Sequence, residues 1–100
     1  VEVAGDVRLP DGSVRRVHGR IDRLVSRPDE VVILDVKTDR APPATAAGAA
    51  PKYLAQLALY RALVAPLAGG RPVRTALLYT AGPRLLSVPD ELLPPVAAAT

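Results

Sequence analysis

The feature that most constrains this chain is the run Val31-Val32-Ile33-Leu34-Asp35-Val36-Lys37-Thr38, almost continuously apolar until two charges appear near its end. A short aliphatic run without alternation marks a strand covered on both faces, which places this segment centrally in a sheet. Side chains alternate across a strand, so Asp35 and Lys37 point one way and Val36 the other. A carboxylate and an amine thus become neighbours at the end of the most apolar strand. Desolvating them costs on the order of several kcal/mol unless each other, a metal or edge water compensates.

The flanking segments follow from local chemistry. Residues 1–9 are extended, Pro10-Asp11-Gly12-Ser13 supplies a turn, and Val14 to Ser26 resumes the extended pattern, which predicts a hairpin. Pro28-Asp29-Glu30 makes a second turn before the apolar strand. Residues 39–50, rich in Pro, Ala and Gly without periodicity, predict a mobile connection with little to bury. From Pro51, Leu54, Leu57, Ala58, Arg61, Ala62 and Val64 fall near a 3.6 period, giving a helix that ends near Pro66 and Gly69-Gly70. Val73 to Thr80 and Arg84 to Val88 read as paired strands around Gly82-Pro83, and Pro89-Asp90 opens a weak final helix. The order β-β-β-α-β-β-(α) predicts an α/β domain with a mixed sheet flanked by helices, one domain over residues 1–100.

Composition narrows the chemistry. One hundred residues suffice for one small domain, and apolar residues that are almost wholly Ala, Val and Leu, with three Tyr and no Phe, Trp or Met, predict marginal stability. The absence of cysteine excludes disulfides, thiolate zinc sites and iron–sulfur clusters, so a metal must be held by oxygen or imidazole. The chain fits a reducing, cytoplasmic setting; its apolar runs are too short to cross a bilayer, and Val1 reads as the start of an internal fragment. A net charge of +3 includes Arg15, Arg16, Arg20, Arg23 and Arg27 in one strand-forming region. These arginines are either solubilising surface or the footprint of a polyanionic partner.

Asp22 is the second acid of interest, because a hairpin of this length brings it beside Asp35, and two such carboxylates repel. A divalent cation resolves that repulsion: Mg²⁺ or Mn²⁺ prefers oxygen ligands and is often satisfied by one or two carboxylates with water and phosphate. Lys37 then has a use, since hydrolysing a phosphodiester needs a nucleophilic water and neutralisation of charge on the phosphoryl oxygens. Asp-x-Lys alone is also the pattern of an ordinary salt bridge at a strand end. Gln56 and Tyr60, at i and i+4, share a helix face and reach over the sheet edge, although a surface Gln and a core Tyr would show the same spacing. His18 lies four residues, about 13 Å, from Asp22 along a strand, too far to share one ion. Asp39 and Arg40 read as a loop ion pair, with Arg40 within reach of a phosphate. Asp6, Asp11, Asp29, Glu30 and Asp90 read as turn and helix-start residues that serve local backbone bonding.

Three segments together, Gly19-Arg20-Ile21-Asp22, Asp35-Val36-Lys37-Thr38 and Gln56 to Tyr60, resemble in order and spacing the G-x-I-D, D-x-K-T and Q-x-x-x-Y series of RecB-like PD-(D/E)XK nucleases. Ala76 to Thr80 and Gly82 to Leu85 resemble the strand pair closing the nuclease domain of the AddA subunit of bacterial helicase–nucleases, so the likeness implies a domain core over residues 3–93. The resemblance implies a restriction-endonuclease-like mixed sheet between helices. It implies that Asp22 and Asp35 bind Mg²⁺ or Mn²⁺, that the Val36 carbonyl completes the inner shell, and that Lys37 orients or activates the attacking water. Gln56 and Tyr60, with Arg23 and Arg40, would then touch DNA or support the site. AddA-type members work with an AddB partner on DNA ends in double-strand-break repair. An upstream helix carrying a third ligand, His or Glu, is missing from the pattern. So is a G-x-x-x-x-G-K-[ST] phosphate loop, which places any use of ATP in a helicase region outside this chain. The competing expectation is a module of the same fold that grips DNA or a partner subunit without cutting.

Overall fold

The computed structural model describes residues 1–99. Strands β1 (Glu2–Arg8) and β2 (Val14–Arg20) form the expected hairpin, in antiparallel register from Glu2 opposite Arg20 to Arg8 opposite Val14. Its turn closes with the Gly12 amide donating to Leu9 O at 2.9 Å and the Leu9 amide donating to Ser13 O at 2.8 Å. Gly12 has φ of 87°, a conformation that a Cβ would oppose.

The extended segment expected from Val14 to Ser26 is not one strand. It breaks at Ile21 and Asp22 and resumes as β3 (Arg23–Ser26) in a different sheet. Burial explains the break. The Ile21 side chain is fully enclosed in the main core, which stabilises by roughly 1.5–3 kcal/mol, and its amide donates to Val1 O at 2.7 Å. Asp22 therefore stands at the seam between two sheets.

The apolar run forms β4 (Val31–Lys37), and helix α1 (Pro51–Val64) carries the chain to β5 (Val73–Tyr79), which lies parallel to β4. Strand β6 (Arg84–Val88) returns antiparallel to β5, giving the four-stranded mixed order β3-β4-β5-β6. A two-residue β7 (Ala97–Ala98) adds to β1 in the other sheet, of order β2-β1-β7. The α/β expectation holds, with two sheets in place of one.

Helix α1 begins with Pro51 in its first turn, where a missing amide costs nothing, and carries Arg61 in its last turn, where a cation meets the negative end of the helix dipole. It packs against both sheets. Leu57, Ala58, Tyr60 and Val64 join the larger cluster with Ile21, Ile33, Leu77 and Tyr79, while Ala62 and Leu63 join Val7 in a smaller one.

Three expectations are corrected. Residues 39–50 contain a 3-10 turn at Ala46–Gly48, and Ala46 and Ala49 are buried in the main core, so this connection does contribute burial. The final helix is a single 3-10 turn, Asp90–Leu92, because Pro94 and Pro95 cannot continue it. Strand β4 is well covered on one face only. Val32, Leu34 and Val36 point away from α1, and none of them joins either core cluster; Val36 is 38% exposed. Among the described residues no helix is long and apolar enough to cross a membrane.

Candidate active site

The two strands that meet at the seam bring the two acids together. Arg23 lies opposite Leu34 in the antiparallel register, so the next residue, Asp22, falls opposite Asp35. Asp22 caps the open strand edge: its Oδ2 accepts the Val36 amide at 2.8 Å. Amide and carbonyl of one strand residue face the same edge, so the Val36 carbonyl points to this side as well. The two carboxyl groups lie within hydrogen-bonding reach of each other, and their proton affinities separate. The hydrogen bond from Asp35, then the one from Val36, holds Asp22 below the usual carboxylate range. Burial first, then Asp22, pushes Asp35 above it.

Asp35 is only 3% exposed, and Lys37 Nζ stands 2.8 Å from its Oδ2. That contact is one of charge; it lacks hydrogen-bond alignment, and the shielded Oδ2 has no hydrogen-bond donor. Lys37 Nζ instead donates to Gln56 Oε1 at 3.0 Å. Gln56 Nε2 donates to Tyr60 Oη at 3.1 Å, and the Tyr60 hydroxyl donates to Arg20 O at 2.9 Å. A continuous line of polar contacts thus runs from Asp35 through Lys37 and α1 to the backbone two residues before Asp22. Two carboxyl groups, one of them with an oxygen that lacks a donor, and an ammonium thus meet at the C-terminal end of the central parallel strands.

The model of the PD-(D/E)XK nuclease superfamily matches residues 1–92. The chain belongs to that superfamily. No curated protein and no solved structure matches it.

PD-(D/E)XK enzymes are hydrolytic nucleases that generally use divalent metals, and the donors here suit such an ion. Asp35 Oδ2 is buried without a donor, Asp22 faces it, and a hard dication is satisfied by this number of carboxylates when water and phosphate complete the shell. No cluster of three or more His, Cys, Asp or Glu able to hold a metal occurs among the described residues. His18 is exposed on β2, opposite Ala4.

The other expected residues are placed unequally. Tyr60 is 5% exposed with its hydroxyl on the backbone, which suits support of the site and not contact with DNA. Arg23 and Arg40 are exposed, and neither pairs with Asp22, Asp35 or Lys37; alternation puts Arg23 on the face of Leu34, away from α1. The expected Asp39–Arg40 ion pair does not form: Asp39 accepts the Tyr53 hydroxyl at 2.7 Å. Asp6 lies within β1, not at a turn, and meets Arg16; Asp11 accepts the Ser13 amide and hydroxyl as a turn residue should. Glu30 meets Arg27 and Arg74, and Asp90 meets Arg61, so these two act through ion pairs.

Sequence reasoning missed two tyrosines of this PD-(D/E)XK site. The Tyr53 ring lies beneath Lys37 Nζ, 4.1 Å from centroid to nitrogen. Its position three residues before Gln56 and seven before Tyr60 on one helix face was the available signal. Tyr79, opposite Lys37 on β5, is fully buried, and its hydroxyl has no hydrogen-bond partner; burial pushes its proton affinity up.

The glycine of the G-x-I-D segment has a steric cause. A Cβ at Gly19 would sit 2.5 Å from Tyr60 Cε1. Gly19→Ala is therefore expected to destabilise the chain by about 1–3 kcal/mol, read by urea unfolding, because the buried ring that anchors Gln56 must move. An unchanged midpoint would show that Tyr60 yields freely.

Proposed function

We propose that this chain is the catalytic core of a Mg²⁺-dependent deoxyribonuclease that cuts DNA phosphodiesters exonucleolytically, as part of an AddA-type helicase–nuclease with an AddB-like partner in double-strand-break repair and recombination. The observation that carries the nuclease reading is the meeting of Asp22 and Asp35 at the seam, beside Lys37, with a buried carboxylate oxygen left without a donor. The AddA assignment rests on the sequence likeness of the segment now seen as the β5–β6 pair.

In this reading Asp22, Asp35 and the Val36 carbonyl hold the ion. Bound there, Mg²⁺ or Mn²⁺ supplies Lewis-acid stabilisation of the phosphoryl charge and lowers the proton affinity of water. Lys37 orients the attacking water and offsets negative charge, Gln56 fixes Lys37, and Tyr60 fixes Gln56. Arg23 and Arg40, both exposed, serve the DNA backbone without reading bases.

The test is calorimetric titration of the chain with Mn²⁺, joined to cleavage of end-labelled duplex DNA. Binding is expected in the wild type and not in Asp22→Ala. The sign of the pH dependence follows from Asp35. Its carboxyl is held protonated above the ordinary range, and a cation takes the ionised form. Affinity should therefore rise with pH through that raised range, by about tenfold per pH unit where one proton is released, and level off above it. Affinity that is flat from acid to neutral pH would contradict Asp35 as a ligand. Metal binding without cleavage would favour the non-catalytic DNA-binding or scaffolding module.

A further inference from the structure

Lys37 is held on three sides: by Asp35 Oδ2 at 2.8 Å, by Gln56 Oε1 at 3.0 Å, and by the face of the Tyr53 ring at 4.1 Å. These restraints differ once a cation engages Asp35. The carboxylate charge is then shared, and a dication a few ångström away repels the ammonium. Gln56 and Tyr53 are neutral and keep their hold. A single hydrogen bond to Gln56 leaves the ammonium free to swing about the amide oxygen, whereas the negative face of an aromatic ring adds a second, non-collinear restraint.

The ring is itself fixed. Its hydroxyl donates to Asp39 Oδ1 at 2.7 Å, which ties the first turn of α1 to the chain just beyond β4, and the ring packs against the main core. With the Lys37 side chain only 14% exposed, the contact is largely shielded from water, the setting in which ammonium–ring attraction is strongest. Lys52 approaches the same ring from an exposed position at 5.5 Å, a weaker contact.

We propose that Tyr53 is a positioning residue: its ring face, seated against the main core, holds the Lys37 ammonium beside Asp35. The proposal rests on the reading of Lys37 as the group that assists the attacking water.

The chain has two lysines, Lys37 and Lys52, so a Lys52→Arg variant assigns the lysine Cε protons by NMR. In the full chain, without metal or DNA, the Lys37 Cε protons are expected upfield of their position in urea, as protons above an aromatic face are. Tyr53→Phe should keep that shift and Tyr53→Leu should abolish it. With saturating Mg²⁺ and duplex DNA, Tyr53→Leu is expected to lower kcat about tenfold with KM and Mn²⁺ affinity unchanged. Tyr53→Phe should stay within about threefold of wild type. Unshifted Lys37 protons in the wild type overturn the proposal whatever the activity, and so does a folded Tyr53→Leu chain with wild-type kcat. If the wild type shows the shift but cleaves nothing, the nuclease reading fails while the hold of the ring on Lys37 stands. If Tyr53→Leu does not fold, the shift in wild type and in Tyr53→Phe, present or absent, decides.

Discussion

Asp35→Asn is expected to lower metal-dependent DNA cleavage by at least about a thousandfold while leaving the fold intact. The carboxylate is 3% exposed and has one oxygen without a hydrogen-bond donor, so it is maintained against its own desolvation. Asn has nearly the same shape and removes that cost. Its carbonyl dipole can face Lys37 and its amide can donate to Asp22, keeping both present contacts without a buried charge. The apo chain should therefore melt at the same temperature or higher at neutral pH, where Asp35 is pressed to ionise. For a carboxyl with raised proton affinity, the stability it contributes is complete at low pH and is lost as pH rises through its folded-state value. The Asn variant should lack that decline. Thermal melts across pH, set beside single-turnover cleavage, check both halves. A variant that loses activity only because it unfolds would show Asp35 to be structural.

Lys37→Met is expected to reduce kcat by roughly 10²- to 10³-fold, with Mn²⁺ affinity kept or slightly tightened. Met preserves the length of the stem while removing the ammonium, and with it both the charge and the donation to Gln56 Oε1. Removing a cation 2.8 Å from Asp35 removes repulsion of an incoming dication but also raises the proton affinity of Asp35, so affinity should hold at a pH above the range in which Asp35 ionises. Calorimetry and single-turnover rates on the same preparation separate the effects. A rate within tenfold of wild type would reduce Lys37 to a counter-ion for Asp35.

The meeting of Asp22, Asp35 and Lys37 was legible because strand alternation and hairpin register are rules of short range. Both acids fall on opposed positions of neighbouring strands, and Lys37 follows Asp35 on one face. The break at Ile21 was not legible, since the extended pattern continues across it and only tertiary burial of Ile21 turns the chain. Strand β7 is made of alanines, which carry no strand signal; the open edge of β1 supplies its partner. Ala46 and Ala49 enter the core without periodicity because small side chains fill gaps in place of forming a face. Tyr53 was overlooked for a different reason: its helix face was visible, but the ring's place under Lys37 depends on the packing of α1 over β4.

The register that sets Asp22 against Asp35 also limits how the chain can change in length. The turn between β3 and β4, closed by the Arg27 amide on Glu30 O at 2.8 Å, fixes that alignment. One residue inserted there would slip β3 by one position, reverse the face each of its side chains meets, and carry Asp22 away from its partner. Residues inserted on the far side of β4, in the stretch 41–45, would shift no strand pairing, because no strand runs through that stretch.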